Sequence, residues 1–196
     1  MTDSIRKLFE SDQIRISIDN DGKMIFVSNG ATCLEDYVEI SKKGKIFTVS
    51  EIHRNDVKIV KETEEEDTAV IWAIIVAKKM FDELRDNGII DTIETMVDDG
   101  KKSTIPDLLE KIGLSNYCVG KEERGKISLV PCGDRINIMY HGQLIAEQVR
   151  EKRAYIILYN YCNKLKAVSV FCSKVDSIMN THIHINYDEL IDFYIF

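Results

Sequence analysis

Alternating hydrophobic and polar residues mark the first half of the chain as rich in strands. Isoleucines alternate with polar residues over 14–19, and this period of two predicts a half-buried strand. Asn20-Asp21-Gly22 predicts a hairpin turn into a second strand over 24–28. A meander of three further strands is predicted over 37–40, 46–50 and 57–61.

A continuous apolar stretch then predicts a long helix. Asp67 or Thr68 is its expected N-cap, and the helix is predicted to run to about Arg85 and to stop at Asn87-Gly88. Because residues 70–77 are apolar on every side of the helix, we expect it to be buried on several faces, with Trp72 in the core.

Two shorter helices are predicted after the long one. The first covers 89–97, and the second begins in the turn that contains Pro106 and ends near Gly113, since proline is favoured in the first turn of a helix. The polar residues 98–103 between them form the clearest linker of the chain.

The second half returns to strands followed by a helix. The helix is predicted over 151–165, although the aromatic and β-branched residues of 155–161 also fit a strand. A further strand is predicted over 167–172, and the apolar residues 192–196 should pack on the body or on a partner. The strands of this half are predicted over 126–130, 135–140 and 144–149.

The two halves resemble each other in sequence. The hexapeptide GKIFTV at 44–49 returns as GKISLV at 125–130, and IVKE at 59–62 matches LIAE at 144–147. We therefore expect an α+β protein with two related units, each an antiparallel meander packed on one helix, joined by helices. The expected domains are residues 1–100 and 101–196.

Composition and charge narrow the classes of function. The chain has 196 residues and a net charge of −7; residues 1–100 carry 13 basic and 22 acidic residues, and residues 101–196 carry 13 and 11. An acidic N-terminal half repels nucleic-acid phosphates and attracts a basic protein surface. The five cysteines lack CxxC spacing, which favours a reducing, cytoplasmic compartment. No signal pattern or membrane span is recognisable in the sequence.

The densest run of charge is acidic and comes just before the long helix. The equivalent stretch of the second half, 147–153, is mixed and partly basic, so the fold itself does not require acidity at this place. We predict that this run binds a basic protein, with two acidic residues of the linker as contributors. The candidate partner-binding residues are Glu62, Glu64, Glu65, Glu66, Asp67, Asp98 and Asp99.

In outline, this meander-plus-helix body without a catalytic motif resembles the small acidic immunity proteins of bacterial toxin systems. The resemblance implies stoichiometric inhibition of a cognate toxin enzyme, often a nuclease, without a cofactor. A phage protein that blocks a host defence enzyme would have the same properties.

Two alternatives belong to other classes of function. One is a metal-dependent hydrolase or nuclease that uses Asp36, Asp56 and Lys58, because paired carboxylates hold a cation and a lysine steadies the phosphate under attack. The spacing of His182 and His184 also fits two metal ligands on one face of a strand. The other alternative is a structural subunit that forms a homodimer through its C-terminal tail.

Overall fold

The computed structural model describes residues 14–28, 35–54, 56–82, 84–178 and 185–196. These residues form an α+β protein with two separate sheets and five α-helices, which confirms the predicted class. Contacts divide the chain into two compact units: residues 1–82 with 168–194, and residues 83–167 with 195–196. The sequence-based division into residues 1–100 and 101–196 stays a prediction.

The first unit contains a five-stranded antiparallel sheet in which sequential strands are neighbours. Each predicted strand is present, and the last three are longer than predicted because their pairing extends into the turns. The strands are β1 (Ile14–Ile18), β2 (Met24–Ser28), β3 (Asp36–Lys43), β4 (Ile46–His53) and β5 (Asp56–Thr63).

Helix α1 (Glu66–Phe81) packs across this sheet and contacts all five strands. Every residue from Thr68 to Lys78 is buried, as the continuous apolar stretch predicts. The cap position is Glu65, two or three residues earlier than predicted. The helix also ends at Phe81, well before the predicted end at Asn87-Gly88.

Asn87-Gly88 in fact begins the next helix, α2 (Asn87–Asp98). The carboxylate of Asp86 accepts hydrogen bonds from the backbone N–H groups of Gly88 and Ile89, at 2.8 Å and 3.4 Å, and so caps α2. A single 3₁₀ turn (Lys102–Thr104) leads into α3 (Ile105–Lys111), which has proline in its first turn as predicted.

The second unit contains a four-stranded mixed sheet in the order β6-β7-β8-β9. The last three strands form the predicted antiparallel meander, whereas the short strand β6 pairs in parallel with β7 and was not predicted. The strands are β6 (Tyr117–Val119), β7 (Ile127–Cys132), β8 (Arg135–Tyr140) and β9 (Gln143–Val149).

The helix after this meander, α4 (Glu151–Ile178), is almost twice as long as predicted. The helical interpretation of 155–161 is confirmed, but the strand predicted over 167–172 is wrong because that stretch continues α4. Helix α5 (Tyr187–Ile195) buries Leu190, Tyr194 and Ile195, so most of the predicted apolar tail packs, whereas Phe196 is 45% exposed. Buried residues recur every three or four positions along α4, at Ala154, Leu158, Cys162, Leu165, Val168, Cys172 and Val175.

Three antiparallel strands followed by a helix therefore occur twice, as β3-β4-β5-α1 and as β7-β8-β9-α4. The two matching sequences fit this repeat differently. IVKE and LIAE both lie in the last strand before the helix, but GKIFTV begins the second strand of its meander and GKISLV begins the first. Gly44 and Gly125 both have positive φ, 64° and 77°, just before a strand. The shared glycine thus serves a turn that precedes a strand in both halves.

Candidate functional site

The acidic residues predicted to bind a partner lie where β5 passes into α1. We call Glu62, Glu64, Glu65, Glu66 and Asp67 the acidic segment. Glu62 is on β5, Glu64 and Glu65 are in the connection, and Glu66 and Asp67 are in the first turn of α1. Glu62, Glu64 and Glu65 are exposed, whereas Glu66 and Asp67 are half-buried. Acidic residues here also favour the helix, because its N-terminus is the positive end of the dipole.

Two threonines hold the connection in place. The hydroxyl of Thr63 accepts a hydrogen bond from the backbone N–H of Glu65 at 3.1 Å. The hydroxyl of Thr68 donates to the Glu65 carboxylate at 2.8 Å. Glu65 is therefore engaged in the start of α1, while Glu64 makes no ion pair among the described residues.

Two adjoining depressions lie beside the acidic segment, with volumes of about 420 Å³ and about 350 Å³. Both are lined by Glu62, Thr63 and Glu64. The first extends over β3 and β4, and the second extends towards α5, where Glu189 adds a further carboxylate. The exposed glutamates thus line two adjoining depressions within one unit, the first of which also includes Lys43.

One lysine lies within the second depression. The Lys61 ammonium forms an ion pair with Glu189 at 2.7 Å and lies 4.7 Å from the centroid of the Trp72 ring. This pair of contacts joins β5, α1 and α5 at the floor of the depression. This cluster could not be recognised from the sequence, since its members are far apart in the chain and no motif connects them.

Asp67 differs electrostatically from the rest of the acidic segment. Burial, followed by repulsion from the neighbouring carboxylates of Glu66 and Glu65, raises the pKa of Asp67 above its ordinary value. Its charge is therefore less favourable in the folded chain than in water, and Asp67 is a poorer contact for a partner than the exposed glutamates.

Asp98 and Asp99 belong to the other unit, and each is already paired. Asp98 accepts from the ammonium of Lys152 at 2.7 Å, and Asp99 accepts from Lys101 at 2.9 Å. Lys102 also pairs with Glu151 at 2.7 Å. These pairs fasten the connection after α2 to the first turn of α4.

The equivalent junction of the second unit, between β9 and α4, is mixed in charge and partly basic. Arg150 and Arg153 are exposed there, and neither forms an ion pair among the described residues. The difference in charge that the sequence predicts between the two junctions is therefore present at the protein surface.

The residues of the hydrolase hypothesis do not form a metal site. Asp36 of β3 and Asp56 of β5 are the cross-strand neighbours of His53 on β4, and Asp36 contacts the His53 ring. Lys58 pairs instead with Glu51 at 3.5 Å. Within the described ranges, no group of three His, Cys, Asp or Glu residues is arranged to hold a metal ion. His182 and His184 lie outside the described residues.

The comparisons with known proteins give no assignment. No protein-family model matches the chain, and no curated protein or solved structure is significantly similar to it. Among the described helices, none combines the length and the apolar character that crossing a membrane requires.

Proposed function

We propose that this protein is an acidic, cytoplasmic inhibitor that binds the basic surface of a cognate enzyme, and that the enzyme is a toxin, such as a nuclease, against which it gives immunity. The observation that carries the proposal is the pair of adjoining depressions lined by Glu62, Glu64 and Glu65, at a junction where the other unit exposes arginines instead. Exposed carboxylates around a depression favour a partner that inserts lysine or arginine side chains.

The contributions of the predicted residues should differ. Glu62 and Glu64 are exposed and border both depressions, so their charges are available to a partner. Glu65 is engaged by Thr68, and Asp98 and Asp99 by lysines, so their charges should matter less. A phage protein that blocks a defence enzyme would use the same surface and would differ only in the enzyme bound.

The experiment is affinity capture from the native host with three forms of the protein. Wild type is compared with the double variant Glu62→Lys/Glu64→Lys and with the control Glu110→Lys/Asp134→Lys. The control reverses two exposed acidic residues of the other unit and changes net charge by the same amount. Bound proteins are identified by mass spectrometry at low and high salt.

We expect wild type and control to retain the same basic protein at low salt and to release it at high salt, because ion pairs at a surface are screened. The Glu62/Glu64 variant should lose it. The retained protein should be an enzyme whose activity disappears at one equivalent of inhibitor. Equal retention by all three forms would contradict the assignment of this surface, and retention of no enzyme by wild type would contradict the proposed function.

A further inference from the structure

The edge strand β5 exposes apolar side chains that the core does not use. β5 is the last strand of the described sheet, and its Val57 and Ile59 are 66% and 61% exposed. Both lie on the same face of the strand, since side chains alternate. Exposed β-branched residues on an edge strand are typical of a site where another strand pairs.

The opposite face of the same stretch carries two complementary charges. Asp56 and Lys58 are two residues apart and therefore point to the same side of the sheet. Asp56 makes no ion pair among the described residues. Lys58 pairs with Glu51 of β4 at 3.5 Å, but its side chain remains 70% exposed. An edge that carries one acid and one base in alternate positions is suited to antiparallel pairing with itself.

We propose that β5 pairs with β5 of a second copy of this chain, antiparallel and centred on Val57, so that two five-stranded sheets become one sheet of ten strands. Asp56 of each copy then lies opposite Lys58 of the other, which gives two symmetric ion pairs on one face. On the other face, the two Val57 side chains meet, and each Ile59 is diagonal to the Val57 of the other copy.

Two alternative registers are less favourable. A pair centred on Lys58 places the two lysine ammonium groups opposite each other. A pair centred on Ile59 requires Val57 to face Lys61. The pairing of β4 with β5 contains a bulge, however, in which Val60 of β5 has no partner between Val49 and Ser50 of β4. This bulge turns the Lys61 side chain to the face of the sheet opposite Val57. Because β5 begins at Asp56, the register centred on Val57 pairs only residues 56–58 of the two strands, so the contact should be small and the dimer weak.

The test is sedimentation velocity over a wide range of concentration, with the full chain and two single variants. Wild type should shift from the 22.5 kDa monomer towards twice that mass as its concentration rises. Asp56→Lys and Lys58→Asp each place like charges opposite one another, and each should weaken self-association by about tenfold or more.

An equimolar mixture of the two single variants should associate as well as wild type. The lysine introduced in one variant then faces the aspartate introduced in the other, and the unchanged Lys58 of the first faces the unchanged Asp56 of the second. Ile18→Lys, at an equally exposed position on the opposite edge strand, should leave association unchanged. Circular dichroism of each variant verifies its fold. Wild type that stays monomeric at all concentrations, or a mixture that fails to associate, would overturn the proposal.

Discussion

At the scale of single residues, Asp67 is subject to two opposing effects. The N-terminus of α1 favours a negative charge, whereas burial and the carboxylates of Glu66 and Glu65 disfavour it, and the net result is a raised pKa. A carboxyl group whose pKa is raised by folding binds its proton more tightly in the folded chain. Its ionisation therefore lowers stability as the pH rises from the ordinary value of 3.8 through the raised pKa.

We predict that Asp67→Asn becomes more stable relative to wild type over that same pH window, and that the difference is constant above it. Urea denaturation at a series of pH values measures the two free energies of unfolding. Asp134→Asn is the control, because the Asp134 side chain is 91% exposed. A difference that does not change with pH would show that folding leaves the Asp67 carboxyl unperturbed.

At the scale of elements, helix α1 packs against two other parts of its own unit. The five-stranded sheet lies against it, and the C-terminal helix contacts it through the edge of Phe193 on Trp72, with ring centroids 5.5 Å apart. Ile74 is fully buried in the middle of this helix. We expect Ile74→Ala to lower the free energy of unfolding by about 2–5 kcal/mol.

Urea denaturation also measures this effect, and Ile18→Ala is the matched control. Ile18 is 71% exposed on β1, so its truncation should change stability by less than about 0.5 kcal/mol. If the two variants lost similar amounts of free energy of unfolding, α1 would not be the centre of the core.

The same elements show what the sequence could and could not predict. The strands and α1 follow from alternation and from a continuous apolar stretch, both of which are local signals. The end of α1 does not follow from local signals, because Asp82 has a distant partner: the Tyr194 hydroxyl donates to its carboxylate at 3.1 Å. Lys78, four residues earlier in the chain, pairs with the same carboxylate at 2.9 Å. The strand predicted over 167–172 is wrong although a contrary signal is present in the sequence, since the three-to-four-residue spacing of apolar positions along α4 continues through Val168 and Cys172.

The candidate site was predictable only in part, for a related reason. The acidic run is contiguous in sequence, so it could be identified directly. The partners of its neighbours are not contiguous: Glu189 of the C-terminal helix pairs with Lys61 of β5, and Thr48 of β4 contacts Glu62 at 3.5 Å. Which glutamates stay available to a partner therefore depends on tertiary structure.

At the scale of the whole molecule, the apolar C-terminal residues must either complete a core or join two copies. Lys79 donates to the Phe193 carbonyl at 2.6 Å, and its ammonium lies 4.4 Å from the centroid of the Phe193 ring. Tyr194 is 1% exposed. These contacts favour a tail that completes the core of its own chain.

We therefore predict that deletion of residues 192–196 lowers the free energy of unfolding by at least about 3 kcal/mol, since truncation of one buried aromatic residue alone costs about 3–5 kcal/mol. The deletion should leave the concentration dependence of the solution mass unchanged as long as the chain remains folded. Lys58→Asp should have the reverse effects, with little loss of stability and a clear loss of self-association. Denaturation and sedimentation of both variants distinguish a tail that completes the core from a tail that joins two copies. If the tail joined two copies, its deletion would lower the solution mass without a comparable loss of monomer stability.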